Sequence, residues 1–150
     1  MEYYIFLQKK KKAIGSNVIK INFDTQEEFN EYIKENIDMN EYNYKILKPH
    51  ELPKINPLLF ASHNIVNDIL IPDISIAKEI IKKPIRKRRE KLFAPLDAQY
   101  MRALEDGDVE KQKEAIEKKK KLRDITNHPL IENAQTLEEL SKINIEDLFK

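Results

Sequence analysis

The sequence predicts an α+β protein in three parts. These are a small N-terminal ββαβ-like unit over residues 1–48, an extended, proline-punctuated apolar segment over 49–73, and a C-terminal antiparallel helical hairpin with short terminal helices over 74–150. Three observations predict it. Short aromatic and β-branched runs with strand-like alternation recur at residues 3–7, 18–23 and 42–47. Pro49, Pro53, Pro57 and Pro72 interrupt an otherwise apolar middle, and each forbids a backbone hydrogen bond locally. Beyond Ile85, apolar side chains return every three or four residues until Asp106-Gly107-Asp108 breaks the pattern.

Taken in order, Tyr3 to Leu7 reads as a first strand, Lys9–Lys12 with Gly15-Ser16-Asn17 as a solvated turn, and Val18 to Phe23 as a second strand. Asp24 or Thr25 can cap the next segment. Thr25-Gln26-Glu27-Glu28 has the capping-box spacing, and Phe29, Tyr32 and Ile33 follow at helical intervals, so residues 25–36 form an amphipathic helix. Tyr42 to Leu47 is a third strand. Ile55 to Ile71 carries one formal charge, Asp68, and reads as extended structure with a single strand at Ile65–Ile71. Asp73 caps a helix starting at Ile74. From Ile85 a further stretch places Phe93, Leu96, Tyr100 and Leu104 on one stripe, with Pro95 expected to kink it or to mark its true start. Gly107 suits the left-handed residue that ends a helix, and Asp108 suits the cap of the next. Val109, Ala115, Ile116, Leu122 and Ile125 then line one face of a highly charged second helix, which so short a connection makes antiparallel to the first. Short helical pieces at 129–134 and 136–142 and an apolar tail of Ile145, Leu148 and Phe149 close the chain.

Composition excludes several kinds of chemistry. In 150 residues, 27 Lys and Arg face 26 Asp and Glu, for a net charge of +1, so no global field draws nucleic acid or an anionic membrane. Cysteine is absent, which removes disulfides, thiolate catalysis and thiolate-bound zinc. The two glycines cannot build a glycine-rich phosphate cradle. The opening residues place the apolar run ahead of the basic one, the reverse of a secretory signal, and too short to span a bilayer. A soluble protein made in the cytoplasm is expected. His50, His63 and His128 lie far apart, Ser62-His63 is merely adjacent, and the carboxylates fall on charged helix faces. No catalytic residue, metal ligand or cofactor is expected.

One cluster stands out by charge. Lys82, Lys83, Arg86, Lys87, Arg88, Arg89 and Lys91 accompany a single anion, Glu90. Such a run could neutralise phosphates, but no aromatic interleaves it for base stacking, and the competing reading, that it solubilises a helix start or faces an acidic patch on a partner protein, is favoured.

The C-terminal residues are more specific. Leu96-Asp97-Ala98-Gln99-Tyr100-Met101-Arg102-Ala103-Leu104-Glu105-Asp106-Gly107-Asp108 is followed by Lys119-Lys120-Lys121-Leu122-Arg123-Asp124 and then Thr136-Leu137-Glu138-Glu139-Leu140. This series, over residues 92–141, resembles a helical-hairpin module at the C-terminus of small bacteriophage tail proteins of the tail-fibre assembly and tail-assembly chaperone-like type. The N-terminal unit resembles, by pattern only, the head of small tail-fibre accessory proteins. The resemblance implies a binding or structural role without catalysis, in the virion tail after synthesis in the host cytoplasm, or in the host cytoplasm alone for a transient chaperone. It implies a tail-fibre or baseplate protein as partner. A second copy of the chain is a further candidate, nucleic acid is disfavoured, and no membrane is involved.

Two groups of residues then carry expectations. Arg102 and Arg123 should lie near the elbow formed by Asp106, Gly107 and Asp108, with Asp97, Glu105, Asp106 and Asp124 available as ion-pair partners. Leu58, Leu59 and Phe60 are three adjacent large apolar residues that cannot all enter one small core, so they should anchor a partner, together with Tyr100 and Leu104.

Overall fold

The computed structural model describes residues 1–11 and 15–149 and shows a mixed α/β protein, 58% helical, with small antiparallel sheets and several helices. Lys12, in the turn expected from the sequence, lies outside the described residues. Strand β1 (Glu2–Lys9) is central in a three-stranded antiparallel sheet, between β2 (Asn17–Asn22) and β3 (Tyr42–Leu47). Ile5 pairs with Ile19 on one side and Ile46 on the other. Helix α1 (Gln26–Asn36) packs Phe29 and Ile33 onto the face bearing Tyr3 and Ile5, and the Tyr3 and Phe29 rings stack at 4.4 Å. At its start Thr25 Oγ1 accepts from the Glu28 amide, and the Glu28 carboxylate accepts at 3.0 Å from the amide of Asp24, one residue before the cap amide that the capping-box spacing implied.

The opposite sheet face, with Phe6 fully buried on it, is covered by the middle segment of the same chain. Here the structure corrects the sequence reading. Residues 49–73 are not extended throughout: Pro49–Glu51 and Pro57–Ser62 are 3₁₀ turns, and the expected single strand at 65–71 is a hairpin. Asn67 and Asp68 take φ of 50° and 64°, the left-handed pair of a tight hairpin turn, joining β4 (His63–Val66) to β5 (Ile69–Pro72). The turn at Pro57–Ser62 sends adjacent side chains in different directions. Leu59 is 1% exposed in the helical core, Phe60 is 6% exposed against Phe6 and Tyr4, and only Leu58, at 43%, faces solvent. Leu59 and Phe60 are therefore core residues and not partner anchors, because two different cores of this chain receive them.

Polar groups fix the cover in place. The buried Gln8 amide donates to Asn64 Oδ1 at 2.9 Å and accepts from the Ile65 amide at 2.7 Å. Gly15 donates to the same Asn64 oxygen at 2.9 Å, with φ of +68° and a virtual Cβ only 2.5 Å from the Ala61 carbonyl oxygen. No other residue type fits there without displacement.

Helix α2 (Ile74–Glu105) runs 32 residues, about 48 Å, through both Pro84 and Pro95. The helix is continuous through Pro95, which therefore does not mark a helix start, one of the two roles expected of it. Each proline removes one helical hydrogen bond. Packing sustains the helix past Pro84, since Ile81 and Ile85 on either side are fully buried with Leu59, Ile131 and Leu140. The later elements are α3 (Val109–Asp124), α4 (Pro129–Glu132) and α5 (Leu137–Ser141). A last 3₁₀ turn, Ile145–Phe149, lies partly buried on the helical core. Among the described residues no helix is long and apolar enough to cross a membrane.

Candidate interaction surface

The C-terminal half of α2 and all of α3 form a two-helix arm. At its elbow Gly107 has φ of +68°, the Asp108 amide donates to the Ala103 carbonyl at 2.8 Å, and the Gly107 amide donates to that of Leu104 at 3.2 Å. These are the two bonds that close a helix at a left-handed glycine. Asp108 then caps α3, accepting from the Lys111 amide at 3.0 Å. A hydrogen bond from the Lys111 ammonium, then that backbone amide, holds the Asp108 carboxyl below its ordinary pKa.

Along the arm the helices meet through small side chains. Ala103 and Ala115, 2% and 3% exposed, are its most buried positions, and Gln112 Nε2 donates to the Ala103 carbonyl at 3.2 Å. On one flank a groove is lined by Gln99, Arg102, Asp106, Lys111, Glu114 and Lys118. On the other, Lys119 Nζ lies 2.6 Å from Asp97 and 5.5 Å from the centre of the Tyr100 ring. At 100° per residue, Phe93 and Leu104 share the Tyr100 side of α2, while Val109 and Ile116 share the Lys119 side of α3. That second flank is apolar and open: Leu104, Val109 and Ile116 are 49%, 57% and 52% exposed.

This placement corrects two expectations. Val109 and Ile116 do not join Ala115, Leu122 and Ile125 on the inward face. The seam of α3 runs through Gln112, Ala115, Lys119 and Leu122 at alternating intervals of three and four, a pattern its polar members disguise in sequence. Arg102 and Arg123 do not meet near the elbow either. Arg102 is on the polar groove, whereas Arg123 is at the far end of α3, about 21 Å along the helix from Val109. Neither forms an ion pair among the described residues, and the Arg123 backbone carbonyl accepts from Arg89 Nη1 at 3.1 Å. Lys119 and Asp97 make the ion pair between the two helices.

The basic cluster is largely engaged within the chain. Lys82 pairs with Glu132 at 2.6 Å, Arg86 with Glu79 at 3.0 Å, and Arg88 with Glu146 while lying 4.7 Å above the Phe149 ring. These contacts hold Glu79 below its usual pKa through Arg86, and Glu132 through Lys82. Lys83, Lys87 and Lys91 are exposed at intervals of four, with no ion pair among the described residues. The run is therefore a clamp on α4 and the C-terminal tail before it is a surface of free charge.

A second exposed patch comprises Val66, Ile69 and Ile71 on the β4–β5 hairpin. Ser62 and His63 are buried, yet they bind different carbonyls, Ser62 Oγ donating to Leu59 and His63 Nδ1 facing Phe60, so they do not act as a pair. Among the described residues no three His, Asp or Glu side chains are grouped to hold a metal ion. Comparison with protein-family models, with curated proteins and with solved structures finds no match for the chain.

Proposed function

We propose that this is a non-enzymatic tail accessory protein of a bacteriophage or prophage, which attaches, caps or adapts a tail fibre or baseplate component. The observation that carries the reading is the ordered series from Leu96 to Leu140, with its Asp106-Gly107-Asp108 elbow. In this reading the ββαβ unit, its cover and the helical core around Ile81, Ile85 and Leu140 form a body, and the two-helix arm is presented from it. Leu58, Val66, Ile69 and Ile71 on the body and Leu104 on the arm, with half-buried Tyr100 beside Lys119, are the residues offered to other proteins, since the five aliphatic ones stay in solvent after the chain's own cores are filled. The basic run supports a protein role over a nucleic-acid one, because Lys82, Arg86 and Arg88 spend their charge inside the chain.

Quantitative mass spectrometry of purified particles tests the reading. A fixed number of copies per tail supports it. Absence from particles, with the fibre protein co-purifying from infected cells, assigns a transient assembly chaperone instead. Absence from both removes the tail reading altogether.

A further inference from the structure

We propose that the cleft between the β4–β5 hairpin and the start of α5 binds a flat, uncharged aromatic group carrying one N–H or O–H donor, which His63 Nε2 accepts. The inference concerns the body, not the arm, and stands independently of the tail reading.

The first observation is the shape and lining of the cleft. Its volume is about 360 Å³, near the lower end of the roughly 300–1,000 Å³ of ligand pockets, so its occupant is compact. Burial orders the lining. His63 and Leu137, 4% and 6% exposed, are its deepest residues. Pro53, Ile55 and Ile74 are half-buried, and Pro72 pairs across the hairpin with His63. These surfaces are apolar, and two of them are proline rings, whose flat C–H faces suit the face of an aromatic ring. The rim carries the exposed Glu138, whose carboxylate disfavours an anion.

The second observation is His63, and it selects the chemistry of the occupant. The Phe60 carbonyl, 2.9 Å from Nδ1, can only accept, so Nδ1 carries a proton. In the neutral ring that leaves a lone pair on Nε2. This nitrogen has no hydrogen-bond partner among the described residues. It is not sealed from water either: the sealed side-chain polar atoms without a partner are Ser16 Oγ and Arg89 Nε. Nε2 therefore opens to the space its ring borders, which is this cleft. The Phe6 ring, edge-on to the imidazole at 6.3 Å, packs against it from the sheet. A ligand that fills the cleft displaces the water that would satisfy Nε2, so it must bring a donor of its own. An indole or a phenol joins a flat apolar body to one such donor.

The chain has no tryptophan, so the fluorescence of added indole reports binding without background from the same group. Indole titrated with the full chain should show a saturable shift of its emission at millimolar concentration or below. Benzofuran, the same bicycle with an acceptor oxygen in place of the N–H, should compete at least about tenfold more weakly. The nitrogen NMR signal of His63 Nε2 should move with indole, while those of His50 and His128 stay. His63→Phe keeps a flat ring, removes the acceptor and should erase the preference for indole over benzofuran. Should that variant fail to fold, the two ligands and the nitrogen signal decide on the parent chain. N-acetyltryptophanamide distinguishes the source of the group. Binding as tight as that of indole assigns the cleft to a side chain of a partner protein, and its exclusion while indole still binds assigns a free small molecule. No saturable binding of indole, equal affinity for benzofuran, an unmoved His63 signal, or a preference that survives in folded His63→Phe would each overturn the proposal.

Discussion

The body and the arm spend their apolar residues differently. In the body, Ile5, Phe6, Leu59, Ile81, Ile85 and Leu140 are essentially sealed from water, and the two faces of one small sheet are both covered. In the arm the most buried residues are two alanines, and the large apolar side chains lie at its surface. Burial contributes roughly 25 cal/mol per Å², so the body can hold its own structure. A lone helix the length of α3 is marginal in water. The lesson is a division of labour within one chain: the part with sealed cores carries the part that has surface to offer.

The sharpest way to break that comparison is Leu59→Ala. It should cost about 2–5 kcal/mol in denaturant unfolding, the loss expected for a large buried side chain. Leu58→Ala, one residue away, should stay within about 0.5 kcal/mol. Equal effects would mean that the 3₁₀ turn does not divide the two side chains between core and solvent.

The two glycines come next. Gly15→Ala combines a positive φ with a backbone oxygen 2.5 Å from the new methyl, so it should cost well over about 1 kcal/mol. Gly107→Val at the elbow meets open space and should cost about 1 kcal/mol from φ strain alone. Reversal of that order in thermal unfolding would contradict the close approach at Gly15.

Asp73 tests the junction where the body launches α2. Its carboxylate accepts from the Ser75 hydroxyl and from the Ile76 and Ser75 amides, which hold its pKa below the usual carboxylate value. Asp73→Ala should cost about 1 kcal/mol at neutral pH. Because the folded-state pKa is depressed, the contribution is present above the ordinary value of about 4 and is lost as pH falls through the folded one. The gap between parent and variant should therefore close in acid; a gap that widens there would assign the effect elsewhere. Arg88→Ala should have the smallest effect, a few tenths of a kcal/mol globally, with faster amide exchange at residues 145–149 as the visible consequence.

How far the sequence foretells this division depends on the range of the interactions. Alternation at Tyr3–Leu7, the capping box at Thr25–Glu28 and the glycine between two aspartates at the elbow are local signals, and the elements stand where those signals put them. The middle segment depends on a sheet face many residues earlier in the chain, so its apolar composition reads as surface when it is cover. Asn67-Asp68 was the available sign of a hairpin. Continuity of α2 through Pro84 depends on Ile131 and Leu140, which no local window contains. On the arm, Tyr100 and Leu104 are conspicuous by spacing. Val109 and Ile116 were hidden because a seam built from Gln112, Ala115 and Lys119 does not look apolar.

The most direct test of the division between body and arm is amide hydrogen exchange on the full chain over a range of protein concentrations. At the lowest concentration, the amides of Val109–Asp124 should exchange much faster than those of β1 and of α2 between Ala77 and Ile85. Protection of α3 equal to that of β1 at the lowest concentration would contradict the account, since the arm would then be held by the chain alone.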